Sequence, residues 1–255
     1  MANPPDLSPV ADFARRHDPD RFLCALFAPA AQREPLCTLI AYNHELARAR
    51  EAAKTPLIAL MRLQWWREVV EHAAEGRPAR RHEVAAPLHA AIASGALDPA
   101  DLTAMADARE IEAEEEGVPS REAFDSYLRG TAGGFAVAAG RLLGTPPALL
   151  PALQGAGALF GLAGVLRNAP ILARQGRSLL PPAAVPQELA REGLSRLREV
   201  VAGLRALPRP ARAAALPLVL ARRDLRRLAA GRAVPAARGL GDRLAVMLAG
   251  LGAPL

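Results

Sequence analysis

Two short stretches hold the residues best suited to chemistry: 41–51, Ala-Tyr-Asn-His-Glu-Leu-Ala-Arg-Ala-Arg-Glu, and 166–172, Leu-Arg-Asn-Ala-Pro-Ile-Leu. His44-Glu45 opens the H-E-x-x-H pattern that sets two imidazoles on one helix face around zinc, but Arg48 stands in the closing position, so no zinc site follows. The other histidines, His17, His72, His82 and His89, lack ligand spacing and read as surface or loop residues. No serine lies in a G-x-S-x-G turn. Gly133-Gly134 and Gly155, Gly157, Gly161 and Gly164 follow no strand and read as sites of close helix packing. What remains is arginine chemistry. Guanidinium pairs well with phosphate oxygens, so Arg48 and Arg50, aided by Arg167 and Arg177, are candidates to hold a diphosphate directly. The competing and favoured reading pairs Arg48 with Glu45 or Glu51 on its own helix.

The elements that must position these groups read as helices. Apolar residues make up 51% of the 255-residue chain but aromatics only 4%, so alanine and leucine, both strong helix formers, carry the bulk. Ser8-Pro9 opens a helix to about His17, and Asp18-Pro19-Asp20 opens another to Ala28. Pro35 starts a longer one ending at Glu51, and Pro56 one ending near Gly76. The spacing then predicts a polar loop from Gly76 to Val84. A helix capped by Asp98-Pro99 runs into an acidic patch, Glu110 to Glu116, and one uninterrupted helix runs from Ser120 to Leu143. Residues 142–166 carry no charge, yet Pro146, Pro147 and Pro151 and a Gly/Ala-rich make-up argue for a buried central helix rather than a membrane span. Two or three arginine-striped amphipathic helices follow Pro181. Trp66 falls on the core stripe of its helix, which leaves Trp65 as the candidate for a partner or ligand surface, although a structural role for both is favoured.

Residues 1–130 carry net −6 and residues 131–255 net +12, with Lys54 the only lysine. A solvated helix surface is the first reading of the basic half, and an anionic membrane or partner surface the second. Nucleic acid is excluded as a partner, because no helix-turn-helix, RNP or zinc pattern accompanies the charge. Cys24 and Cys37 form no C-x-x-C pair and no disulfide framework, so a reduced, intracellular chain is expected. Met1 to Val10 shows no secretory pattern, and early acids argue against a transit peptide.

Four ordered stretches carry a resemblance: Met61-Arg-Leu-Gln-Trp-Trp-Arg-Glu68, Tyr127-Leu-Arg-Gly-Thr-Ala-Gly133, Gly176-Arg-Ser-Leu-Leu-Pro181, and Leu216-Pro217 to Arg222-Arg223. Together they resemble the squalene/phytoene synthase family over residues 18–230, with 1–17 as an N-terminal extension and 231–255 as a helical tail. The resemblance implies an all-α, single-domain isoprenoid-synthase-like bundle around a central cavity. It also implies the family's chemistry, head-to-head joining of two prenyl diphosphates, in which bound Mg²⁺ neutralises the departing diphosphate. Mg²⁺ needs facing carboxylates. The family's first aspartate motif falls here on Ala47, Arg48 and Glu51, its second on Asn168 and Leu172, and the arginine preceding the first is His44. Glu51 and Asn168 are the only metal candidates left, so no cofactor is expected, with Mg²⁺ only for a residual prenyltransferase.

A narrower set, Tyr42-Asn43-His44-Glu45-Leu46-Ala47, Leu60 to Trp66 and Arg167-Asn168-Ala169-Pro170, resembles the family's non-catalytic branch, which includes assembly factors of respiratory complex I. That resemblance implies an accessory or assembly role, with complex I subunits or assembly intermediates as partners. It further implies a prenyl lipid or diphosphate as candidate ligand, near Arg48, Arg167, Arg177 and Gln64, and a cytoplasmic location, peripheral at the inner face of the membrane. The alternatives are a residual head-to-head prenyl-diphosphate transferase and a basic lipid-surface protein.

Overall fold

The computed structural model describes residues 7–114, 117–235 and 237–254, and every regular element among them is helical. The first six helices are α1 (Pro9–His17), α2 (Pro19–Ala25), α3 (Ala30–Glu51), α4 (Pro56–Ala74), α5 (Ala85–Ala93) and α6 (Pro99–Asp107). They are followed by α7 (Arg121–Leu128), α8 (Gly134–Leu142), α9 (Leu150–Arg174), α10 (Pro186–Gly203), α11 (Arg212–Ala215), α12 (Pro217–Ala229) and α13 (Leu240–Gly250). Five of these start on caps that the sequence spells out. Ser8, Asp18, Thr55, Asp98 and Ser120 each accept a backbone N–H two or three residues on, and proline follows the first four, where its missing N–H costs nothing.

Three expectations are corrected. The helix expected from Pro35 begins at Ala30 and carries the proline in its second turn, where the Ala31 carbonyl it leaves without a partner belongs to an exposed residue. The helix from Ser120 is interrupted by a π-helical turn, Arg129–Gly133, between α7 and α8. The acidic patch does not continue α6: Glu110–Ala113 forms a short 3₁₀ turn, and Glu115 and Glu116 lie outside the described residues. No side-chain cap announces α5, an apolar Ala-Ala-Pro-Leu-His-Ala-Ala-Ile-Ala segment.

α9 is the central helix, packed against α8, the π turn, α10 and α12. By length and composition residues 147–174 could cross a membrane. Here Leu153, Ala156, Leu159, Leu162 and Leu166 are instead buried in the main core. α3 packs on α1, α4, α5 and α8 and buries Tyr42 completely, its hydroxyl donating to the Leu102 carbonyl at 2.9 Å. Trp66 is buried beside Tyr42, while Trp65 is half-buried under Arg80, whose guanidinium lies 5.3 Å from its ring.

The glycines of α9 let it cross the π turn closely. A Cβ on Gly157 would fall inside contact distance of the Ala132 carbonyl and 2.7 Å from the Ala136 Cβ, and one on Gly161 would meet the Ala132 Cβ at 2.8 Å. Gly164 has nothing within 4 Å of such a Cβ. Gly157→Ala is therefore expected to lower stability by about 1–3 kcal/mol through overpacking, although alanine is the better helix former by about 1 kcal/mol. Gly164→Ala is expected to leave stability unchanged or raise it. Thermal denaturation of the two variants is the check, and equal melting temperatures would mean that the crossing is looser than described.

Candidate functional site

The two stretches that opened the sequence analysis meet across one cavity of about 1350 Å³. α3 contributes Asn43, His44, Ala47, Arg48 and Glu51 to its lining, α9 contributes Arg167, Asn168 and Leu172, and Arg177 follows from the loop after α9. Helical spacing explains the convergence, since residues three and four apart share a face. Gln64 is the exception: it lies exposed on α4, outside the cavity lining, where its amide, after Arg80, helps hold the Glu68 carboxyl below its usual range. Gln64 thus stands apart from the candidate residues that the cavity brings together.

One wall of the cavity is a buried polar network. Arg109 donates to the Asn43 Oδ1 at 3.2 Å and to the Glu112 Oε1 at 2.7 Å, and the Tyr127 hydroxyl donates to that same oxygen at 2.7 Å. Burial works against the Arg109 charge, but Glu112 and Tyr127 more than offset it, so its pKa lies above the ordinary guanidinium value. Burial, reinforced by the Glu112 charge, raises the Tyr127 phenol well above its usual range. The sequence places this acidic patch at the end of a helix and does not reveal the network. The only local signal was the i, i+3 spacing of Arg109 and Glu112.

A second wall is cationic. Arg177 is half-buried and makes no hydrogen bond or ion pair among the described residues; burial and then the nearby Arg50 charge lower its pKa. Among the described residues Arg50 donates only to the Ala53 carbonyl, at 3.3 Å, and its Nε is buried without a partner there. Arg48 reaches Glu45 at 4.0 Å, at the limit of an ion pair, so the favoured pairing on its own helix is weak.

A third wall draws on distant parts of the chain. Asp20 accepts from Arg238 at 2.8 Å and lies 3.8 Å from Arg167, while Arg238 also donates to the buried Asp224 at 2.7 Å. Arg21 donates to Asp18 at 2.7 Å and sits between the rings of Phe135 and Phe160, at 4.4 and 4.7 Å. Apolar residues, among them Phe160, Leu128, Val165 and Leu220, complete the lining.

The histidines are closer than their spacing suggested. His17 is exposed, as the sequence suggests, and it also lines the cavity and stacks 4.5 Å from His44, with Phe13 against both. Burial first, then the neighbouring His17 and Arg48, push the His44 pKa down to about 4 from 6.5.

In all, nine arginines and five carboxylates line the cavity. Asp18, Asp20, Glu112 and Asp224 are each ion-paired to arginine, and only Glu51 makes no ion pair among the described residues. No three His, Cys, Asp or Glu side chains among the described residues come together as a metal site. Mg²⁺ needs several free oxygen ligands, and this donor set does not fit it. The arrangement suits an anionic head on the arginine side and an apolar body along Phe160 and Val165.

Residues 14–183 match the profile described as squalene/phytoene synthase. The mouse NADH dehydrogenase (ubiquinone) complex I assembly factor 6 is 29% identical over 122 residues, covering 48% of this chain and 36% of that protein. The human protein of the same name is 28% identical over 120 residues, covering 47% and 36%. The match thus spans little more than a third of the length of these curated relatives. Among solved structures, a dehydrosqualene synthase in complex with ligand superposes with a TM-score of 0.78 at 13% identity, over 95% of this chain and 94% of that one. Squalene synthase HpnC from Alicyclobacillus acidocaldarius gives 0.73 at 14% identity, over 88% and 94%. At such identities these structures show the helical isoprenoid synthase fold and nothing further.

Two outcomes follow from the geometry. The unfolded His44 imidazole takes up a proton near pH 6.5 and the folded one only near pH 4, so stability falls as pH drops through that window. His44→Phe is expected to flatten that part of the profile, as read from urea midpoints against pH; an unchanged slope would mean that His44 is solvated. Converting Ala47, Arg48, Asn168 and Leu172 to aspartate puts four carboxylates on the same cavity. Calorimetric titration is expected to show increased Mg²⁺ binding, and no gain would mean that these positions do not face one another.

Proposed function

The chain belongs to the squalene/phytoene synthase family, and from that premise we propose that it is a non-catalytic accessory or assembly factor for respiratory complex I whose cavity holds an anion-headed, prenyl-type lipid. The observation that carries this reading is the state of the cavity carboxylates, four of five being committed to arginine. Prenyl condensation requires a leaving diphosphate to be neutralised as it departs. Ala47 and Leu172 offer no ligand at positions where the family resemblance puts aspartates, and Arg48 puts a cation there. Guanidinium groups can bind phosphate oxygens directly, so Arg50 and Arg177 would hold such a head in its ground state. Binding that is no stronger in the transition state does not accelerate a reaction. The partial sequence match to the complex I assembly factors supports the choice of client. The protein would work at the cytoplasmic face of the membrane that houses the complex, with its subunits or assembly intermediates as partners.

Deletion of the protein in its host is the test, read by native-gel levels of assembled complex I and by quinone and carotenoid content. Loss of assembled complex with lipids unchanged is expected, with partial restoration only by an R50Q/R177Q variant. Intact complex with depleted isoprenoid products would overturn the reading. So would Mg²⁺-dependent release of diphosphate from an allylic diphosphate by the purified protein, which would establish the residual prenyltransferase instead.

A further inference from the structure

α13 is apolar on both sides. Inward, Val246 and Ala249 share a small core with Cys24, Leu216, Val219 and Leu220, and Gly250 lies against Phe27. Asp242, also inward, is 2% exposed and ion-paired to Arg223 at 2.5 Å and to Arg227 at 3.4 Å. Outward, Leu240, Leu244, Met247, Leu248 and Leu251 are 85, 55, 45, 52 and 72% exposed. At roughly 100° per residue these five fall within an arc of about 100°, opposite Asp242, Val246 and Ala249. Scattered surface leucines are ordinary; a continuous stripe on one helix marks an interaction surface.

Among the described residues after Glu199 the exposed charge has one sign. After Glu199 the only carboxylate side chains are Asp224 and Asp242, both buried and ion-paired. Arg205, Arg209, Arg226, Arg232 and Arg243 are exposed over the same part of the chain. Arg243 flanks the stripe and also lines the cavity, as do Leu26 and Ile171, two apolar residues that are themselves 45 and 49% exposed. Arg243 therefore links the apolar stripe to the cavity rim.

We propose that the outward face of α13, with the arginines beside it, docks this protein on an anionic lipid bilayer, with the cavity rim beside the contact. A helix lying in the interface plane needs an apolar face and flanking cations, and both are present here. A second copy is disfavoured because the stripe and its flanking Arg243 offer no exposed carboxylate on α13 to pair with a second Arg243. A protein partner is disfavoured because the stripe offers no directional polar group other than Arg243, whereas protein interfaces typically carry several hydrogen bonds. The inference goes beyond the accessory role and stands whichever complex the protein serves.

The test is co-sedimentation of the full chain with phosphatidylcholine vesicles, with and without one third phosphatidylglycerol. Binding to the phosphatidylglycerol vesicles is expected, weakened at least ten-fold by L244E/L248E, and weakened also by R226Q/R243Q and by raised salt. M247W gives an independent readout: its emission is expected to be quenched by brominated lipid beyond that of the wild-type protein. Equal binding by wild type and L244E/L248E, or no added quenching of M247W, would overturn the proposal. So would a concentration-dependent dimer abolished by L244E/L248E in a protein that ignores vesicles, or binding to an acidic protein without binding to lipid.

Discussion

Arg109 lies largely buried beneath the cavity wall, and its charge is tolerated there because Glu112 sits 2.7 Å away, with the Tyr127 hydroxyl and the Asn43 amide completing its surroundings. Taking a guanidinium out of water costs several kcal/mol unless it is paired and hydrogen-bonded. That requirement recurs around the cavity: Asp18 answers Arg21, and Asp20 and Asp224 answer Arg238. An arginine-rich interior consumes the carboxylates available to it. Once they are consumed, the same shell cannot assemble the cluster of free oxygens that Mg²⁺ demands. The proposed departure from metal chemistry would thus rest on the charge balance of the whole lining as well as on Ala47, Arg48 and Leu172.

The scaffold tolerates this replacement because it is held elsewhere. The α9 crossing of the π turn rests on the missing side chains of Gly157 and Gly161, and the cores of α3, α4 and α8 are apolar. π turns often occur at functional sites, and this one carries Thr131 and Ala132 to the cavity, directly after Tyr127 and Leu128. Substitutions on the cavity side of α3 and α9 therefore alter the chemistry of the lining without disturbing the packing behind it.

Most of the fold was legible in the sequence, because helix starts are local events. Ser8, Asp18, Asp98 and Ser120 announce their helices with a side chain that the structure shows capping them. Pro35 misled, since a proline in a second turn looks like a first position until the exposed Ala31 carbonyl is seen. α5 escaped because it lacks both a cap and a polar face. At the site, the facing of 43–51 and 167–172 was legible through family spacing. The burial of Arg109 and Glu112 was not, because an i, i+3 ion pair reads the same in solvent and in a protein wall. Arg238 carried no signal at all, because nothing local indicates a partner 218 residues away.

That last contact has a temporal consequence. A chain emerging from the ribosome presents Asp20 218 residues before Arg238, and N-terminal segments begin to fold first. Until Arg238 emerges, the α2 side of the cavity carries an aspartate whose closest cation does not yet exist, since Arg167 stands off at 3.8 Å. Long-range closures of this kind are slow to form. The seam between α2 and the segment before α13 can therefore gain this bond only after Arg238 has been made, which sets the order in which the walls of the cavity are completed.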